Sequence, residues 1–388
     1  MTLAMATADS HWDESSPRWP ECQRIHGWIA DQVEQRKPDV FLHAGDLYER
    51  RSTPRERQGA AAWLMRIADV CPVVMVRGNH DAVFDLDILR CLRTRHPIIV
   101  EEQAAVHHVA GIAVACLSWP RRAELRRAFP GATTGEAVND VAREQLRNVL
   151  RGMGDQLAHH DGPTVLLAHA MVDGSVTSTG QPLVGQDMNV SLDDLALARA
   201  SVTVLGHIHK PQEWLTHDSE GIYYTGSPFR TAFGETEAKS ILSIECDPFV
   251  GYLVNRIYTP TSPMLQLDGA WDVSTGALLV PDDGDEIGFE DAEVRLRYRV
   301  PADCIEAAAR EADSWRWAVL DEGARSVKLE PEVIATTRSR TPEIAAATTL
   351  TEKLDVHWSS KGVELSDERR ERLKERALQL EEEVRCAG

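Results

Sequence analysis

The chain has 388 residues, of which 43% are hydrophobic and 27% charged, with a net charge of −19. That size allows two or three domains and that composition suits buried cores, while no apolar run reaches the roughly 20 residues that span a bilayer. The acidic balance argues against a protein that wraps DNA unaided, because neutralising phosphates needs Lys and Arg, but not against a nuclease that borrows a basic surface from a partner.

The first segment, Met1-Thr2-Leu3-Ala4-Met5-Ala6, has no basic flank and too short an apolar stretch for a signal peptide. Seven cysteines are scattered and none forms a C-x-x-C pair, so a disulfide framework or zinc knuckle is not expected. Together these readings place the chain in a reducing cytoplasm.

Residues 3–8 are expected as a short buried strand, and residues 18–36 as a helix with Ile25, Trp28, Ile29 and Val33 on one face. Val40-Phe41-Leu42 is a second strand ending at Gly45-Asp46. Pro54 opens a second helix over 54–69, and Val73 to Val76 form a third strand ending at Gly78-Asn79. This alternation predicts an α/β fold, with a sheet buried on both faces. Further strands are expected at 112–117, 165–167, 202–205, 240–245 and 251–257, with a helix over 134–152.

Residues 259–291, with Pro, Gly and the acidic Asp282, Asp283, Asp285 and Glu286, are expected as a linker after a first domain at 1–258. A strand over 293–300, a helix over 302–313 and short strands at 316–320 and 325–329 predict a small α+β domain at 292–334. A second linker, 335–348, precedes a helical tail at 349–388, whose stripe of Leu373, Ala377, Leu380 and Val384 suits a partner helix.

Five polar motifs stand at or just after strand ends: Asp9-Ser10-His11, Gly45-Asp46, Gly78-Asn79-His80-Asp81, Ala168-His169 and Gly206-His207-Ile208-His209. Singly, D-x-H or G-D occurs by chance. In this order, on alternating α/β elements, they describe one crevice at the carboxyl ends of strands. Seven donors of mixed carboxylate, amide and imidazole character are too many for one tetrahedral site. They imply two borderline divalent cations bridged by a carboxylate.

The motif series resembles the calcineurin-like metallophosphoesterase superfamily over residues 3–258. Within it, Gly45-Asp46-Leu47-Tyr48-Glu49-Arg50, Tyr224-Thr225-Gly226-Ser227-Pro228 and Phe233-Gly234-Glu235 are similar to segments of the SbcD-type DNA nuclease subunit. The resemblance implies a four-layer α-β-β-α core, a capping domain and a tail that docks on an SbcC-type coiled-coil ATPase. It also implies a homodimer formed through helices of the phosphoesterase domain, for which residues 85–92 are the candidate, and DNA as substrate. One cation, Mn²⁺ with Mg²⁺, Fe²⁺ or Zn²⁺ as alternatives, would sit on Asp9, His11, Asp46 and His209. The other would sit on Asp46, Asn79, His169 and His207. His80 would act on the scissile phosphate or the leaving oxygen, and Glu49, where that family has Asp, would orient it.

Two further readings stay open. Asp13 is either support for a ligand or a solvated loop residue. Arg295, Arg297 and Arg299 either contact DNA phosphates or form a solvated sheet face. His107, His108, His159 and His160 read as surface residues, and nothing marks His43 or His217 as ligands. The alternatives to a nuclease are a cyclic-nucleotide or other small-molecule phosphodiesterase and a non-catalytic scaffold. The complete ligand set argues against the scaffold.

Overall fold

The computed structural model describes residues 1–120, 135–178, 189–215, 221–247, 251–280, 288–334, 344, 346–363 and 365–387, with the side chains of 135–139 and 384–387 outside that description. Two compact units divide the chain. The first comprises Met1–Asp268, Val280–Arg297 and Asp313–Glu330, and the second Gly269–Leu279, Tyr298–Ala312 and Pro331–Gly388.

The first six elements follow the expected alternation: β1 (Thr2–Thr7), α1 (Trp19–Arg36), β2 (Val40–His43), α2 (Pro54–Ala68), β3 (Val73–Val76) and α3 (Asp87–Arg90). Thr53 starts α2 with a capping box: its hydroxyl accepts the Glu56 N–H while the Glu56 carboxylate accepts the Thr53 N–H. The helix sought at 85–92 is reduced to the single turn of α3. Then come β4 (Ile98–Glu101), β5 (Ala105–Val109), β6 (Ile112–Leu117), α4 (Gly135–Leu157), β7 (Thr164–His169), β8 (Met171–Val172) and β9 (Asn189–Val190). α5 (Leu192–Ala196), β10 (Val202–Gly206), β11 (Gln212–Leu215), β12 (Gly221–Tyr224), β13 (Ser240–Asp247) and β14 (Gly251–Tyr258) complete the α/β part.

Two six-stranded sheets result, ordered β14-β13-β1-β2-β3-β4 and β11-β12-β10-β7-β6-β5. β1, β2 and β3 run parallel, as do β6, β7, β10 and β12. The sequence reading did not find β4, β5 or β12, which no ligand motif follows, whereas the equally short β2, β3 and β10 each end in one. Three apolar clusters explain why the parallel strands read as unbroken hydrophobic runs. Met5, Phe41, Val73 and Met75 pack with Ile25 and Ile29 of α1 and Leu64 and Ile67 of α2. The alternate residues Ala4, Ala6, Leu42, Val74 and Val76 meet Val114, Val165, Leu167 and Val204 of the second sheet. The other face of that sheet, with Ala115, Leu166 and Leu205, meets Leu146, Leu150 and Met153 of α4. Each strand is thus buried on both sides.

The stretch expected as a linker at 259–291 holds two antiparallel strands, β15 (Met264–Asp272) and β16 (Ala277–Leu279), and its acidic run lies outside the described residues. After β17 (Glu293–Pro301) comes one helix, α6 (Ile305–Asp321), where a helix and a strand at 316–320 were expected. The β-like Trp317 and Val319 mislead there, since Ala308, Ala312 and Val319 are buried together at helical spacing. β18 (Ser326–Ile334) follows, and most of the second linker, 335–343 and 345, lies outside the described residues. α7 (Leu350–Ser360) opens on a Thr349–Glu352 capping box, and α8 (Asp367–Ala387) leaves Leu373 and Leu380 exposed, while the Val384 side chain lies outside the description. No described helix is long and apolar enough to cross a membrane.

His26 of α1 sits inside the first cluster, its ring against Trp12 and Trp63, with Nδ1–H donating to the Cys22 carbonyl at 2.7 Å. Burial pushes its imidazole down to about 4. An ordinary histidine titrates near 6.5, so between these values the unfolded chain holds more protons than the folded one. Stability therefore falls as pH drops from about 6.5 to about 4, by about 3 kcal/mol from this group. Thermal melts across that range are expected to show the loss, and His26→Met to make it shallower.

Candidate metal centre

Every expected ligand lies at or within a few residues of the carboxyl end of a parallel strand. Asp9 and His11 follow β1, Asp46 follows β2, and Asn79 and His80 follow β3. His169 ends β7, and His207 and His209 follow β10. The loops are tied to one another: Asp9 N–H donates to the Gly45 carbonyl at 3.0 Å and His11 N–H to the Asp46 carbonyl at 3.1 Å. Asp9, His11, Asp46 and His207 all have positive φ, at 52°, 41°, 53° and 107°. Left-handed backbone costs a non-glycine residue of order 1–3 kcal/mol, and four instances in one crevice are sustained by the surrounding hydrogen bonds. Gly78 is required by contact, because a Cβ there would collide with the Asp46 carboxylate and backbone nitrogen.

Hydrogen bonds on the outer ring nitrogens decide which atoms face the centre. His169 Nδ1–H donates to the Ala44 carbonyl at 2.8 Å, which turns Nε2 inward. His209 Nδ1 lies 3.0 Å from Glu235 Oε1, and His11 Nδ1 2.6 Å from Glu49 Oε2. With a carboxylate beside each outer nitrogen, the inner nitrogens of His11 and His209 face each other at 2.9 Å. Two lone pairs at that distance repel unless a proton or a cation lies between them. The donor set therefore fits divalent cations, with imidazoles backed by carboxylates. Asp9, His11 and His209 offer atoms within 4.8 Å of one another, as do Asp9, Asp46 and His169. Asn79 Oδ1 joins His169 Nε2 at 2.8 Å and His207 Nδ1 at 2.9 Å.

The electrostatics agree. Asp9 and Asp46 are almost fully buried, and two carboxylates out of water need compensating charge. Burial raises the Asp9 carboxyl, against the pull of His169 and His209. Burial also works to raise Asp46, but His169 and His11 hold it well below the usual carboxylate range. Against its own burial, His169 is lifted to about 9 by Asp46. Burial pushes His207 down to about 3.

Residues 4–211 match the calcineurin-like phosphoesterase family, more than half of the chain. The chain belongs to that family. Its members are hydrolases of phosphoester bonds that usually hold two divalent cations, and the chain has candidate ligand clusters for them. No curated protein sequence matches the chain. Among solved structures it is similar to a dimetal phosphatase from Danio rerio, at 11% identity and a TM-score of 0.43, covering 66% of this chain and 96% of that one. It is also similar to the protein TT1561 of Thermus thermophilus, at 11% identity and a TM-score of 0.39, covering 66% of this chain and 98% of that one.

Around this centre, Glu49 contacts His80, as expected, and also His11. Its carboxylate holds His11, and it is the Glu49 carbonyl that accepts from His80 Nδ1 at 2.8 Å, the carboxylate standing 3.6 Å away. The Glu49 carboxylate thus stands between the two rings, nearer to His11. His80 N–H donates to Asp46 Oδ1 at 2.8 Å, while its half-exposed ring borders a cleft of about 320 Å³ with His11, Arg18 and Thr231. Asp13 also borders the cleft, its carboxylate pairing with Arg50 at 2.6 Å and accepting from Ser15. His43 is buried against Ser10 Oγ at 2.8 Å, and His217 lies outside the described residues.

The arginine stripe of β17 is neither free nor fully solvated. Arg295 stacks over Phe233 at 4.6 Å and binds Gln266, Arg297 is 4.0 Å from Asp268, and Arg299 is 3.1 Å from Glu332.

Three residues escaped the sequence reading. Asp81 takes the Tyr48 and Gly78 N–H groups at 3.0 and 2.9 Å, so it joins the second and third motif loops, and burial with Asp46 nearby raises its carboxyl to about 6. Its place in Gly78-Asn79-His80-Asp81 was the available signal. Trp119 lies 4.7 Å from the His207 ring and walls that side, although nothing around it in sequence marks it. Glu235 was visible only as part of a family segment.

Two outcomes are expected. Gly78→Ala displaces Asp46, and the purified variant is expected to retain less than half the wild-type metal by elemental analysis. Metal binding requires a neutral His169, which holds a proton below about 9. Binding therefore releases a proton, and the apparent affinity climbs up to about tenfold per pH unit from neutrality before levelling off above about 9. Titration calorimetry in buffers of different ionisation enthalpy measures that proton.

Proposed function

We propose that the chain is a metal-dependent phosphodiesterase acting on DNA, an SbcD-type nuclease subunit with Mn²⁺ as the working cation. The observation that carries the phosphodiesterase reading is the position of His80. Its backbone is locked to Asp46, its Nδ1 is engaged by the Glu49 carbonyl, and its ring lies 5.1 Å from that of His11 at the open side of the centre. The remaining ring nitrogen, Nε2, is thereby directed to whatever occupies the cleft. There it can steady a non-bridging phosphate oxygen or deliver a proton to the departing sugar oxygen. When bound, the two cations supply Lewis-acid stabilisation of the phosphate and lower the pKa of water.

The step to DNA rests on Gly45–Arg50, on Tyr224–Pro228 with Phe233–Glu235, and on the tail. The exposed Leu373 and Leu380 of α8 suit a partner helix of an SbcC-type ATPase, with the protein working as a homodimer. A small phosphodiester is the second reading. It is favoured by the acidic partners of Arg297 and Arg299, which leave that stripe little charge for a DNA backbone.

A nuclease assay with Mn²⁺ on linear duplex and hairpin DNA separates the two. Cleavage is expected with the wild type and about 100-fold less with His80→Ala at unchanged metal content. Hydrolysis of bis-p-nitrophenyl phosphate without any cleavage of DNA, even with the ATPase added, overturns the nuclease reading and leaves the small-substrate one.

A further inference from the structure

Lys239 is 1% exposed, an unusual place for an ammonium group. Its Nζ lies 2.8 Å from Glu235 Oε2 and 2.7 Å from Glu237 Oε1, and donates to Ser227 Oγ and the His209 carbonyl, each at 3.0 Å. The other oxygen of Glu235, Oε1, faces His209 Nδ1 at 3.0 Å and accepts from Thr231 Oγ1 at 2.7 Å. One buried ion pair therefore grips His209 twice, at its backbone carbonyl through Lys239 and at its ring through Glu235. Arg230 Nε donates to the Glu235 carbonyl at 2.9 Å and completes the strap.

A pair that merely closed the 227–239 loop would need neither contact with His209. We propose that Glu235, anchored by Lys239, is a positioning residue for one of the two cations. It fixes the His209 ring as the Nδ1–H tautomer, so that Nε2 faces the centre beside His11 Nε2 at 2.9 Å. Both residues lie beyond residues 4–211, the span of the family match. A carboxylate on the outer nitrogen also makes the inner one a stronger donor, and losing such a partner costs about 10–100-fold in metal affinity. The inference rests on reading His209 as a cation ligand.

The test is Mn²⁺ binding to the full chain, read by the loss of the free-ion electron paramagnetic resonance signal, with the Co²⁺ absorption spectrum as a second readout. Wild type is expected to take up two ions and His209→Ala one; if His209→Ala still binds two, the ligand reading itself fails. With that reading intact, Glu235→Gln is expected to weaken one ion at least tenfold, leave the other within twofold, and alter the Co²⁺ bands. Thr231→Val, a near-isosteric change on the half-buried cleft wall, is expected to weaken the same ion by a smaller factor and serves if Glu235→Gln does not fold. Two ions bound at wild-type affinity with unchanged Co²⁺ bands, in Glu235→Gln or, where that variant is unfolded, in Thr231→Val, overturn the positioning role.

Discussion

The Asp46 carboxylate sits where the strand ends of the two sheets meet, and the geometry of the centre depends on it. One oxygen receives the His80 N–H and the other lies 3.4 Å from His169. Its backbone is left-handed, and Gly78 must lack a side chain to let it fit. A buried carboxylate without compensation is costly, so the facing histidines and the cross-tied loops are arranged around its charge. Asp46 in turn lifts the His169 imidazole against its burial, so a proton there helps to balance the carboxylate.

The supports of the individual ligands differ in kind. His11 and His209 are each backed by a carboxylate, from Glu49 and Glu235, whereas His169 is backed by a carbonyl and His207 lies against the indole of Trp119. Carboxylate-backed imidazoles are stronger donors than carbonyl-backed ones. The two halves of the centre are therefore electronically unequal although their ligand types are similar. The cleft opens beside the carboxylate-backed half, where His80 also stands.

Packing explains why the centre can be rigid. The strands that end in ligands are buried on both faces, so they cannot slide without moving an entire apolar cluster. The cost of positive φ at Asp9, His11, Asp46 and His207 is borne by this framework. Strain of this sort aims side chains that relaxed turns would direct elsewhere.

The candidate ligands were legible in the chain alone, because each follows a short apolar strand and polar residues there need a reason. The α/β alternation was legible for the same cause: double burial leaves unbroken hydrophobic runs at β1, β2, β3, β6, β7 and β10. Strands β4 and β12 were not, since no ligand motif follows them as one follows the equally short β2 and β3. Helix α6 was misread because tryptophan and valine favour strands locally while its buried alanines follow the helical repeat. Only the tertiary structure decided how each histidine is oriented. Glu49 reaches His11 as well as His80, Glu235 reaches back to His209, and His11 meets His209 across 198 residues of chain. It also showed that the arginines of β17 are paired with Asp268 and Glu332. Local pattern reports which side chains are available, but tautomers and ion pairs are set by partners that approach through the fold.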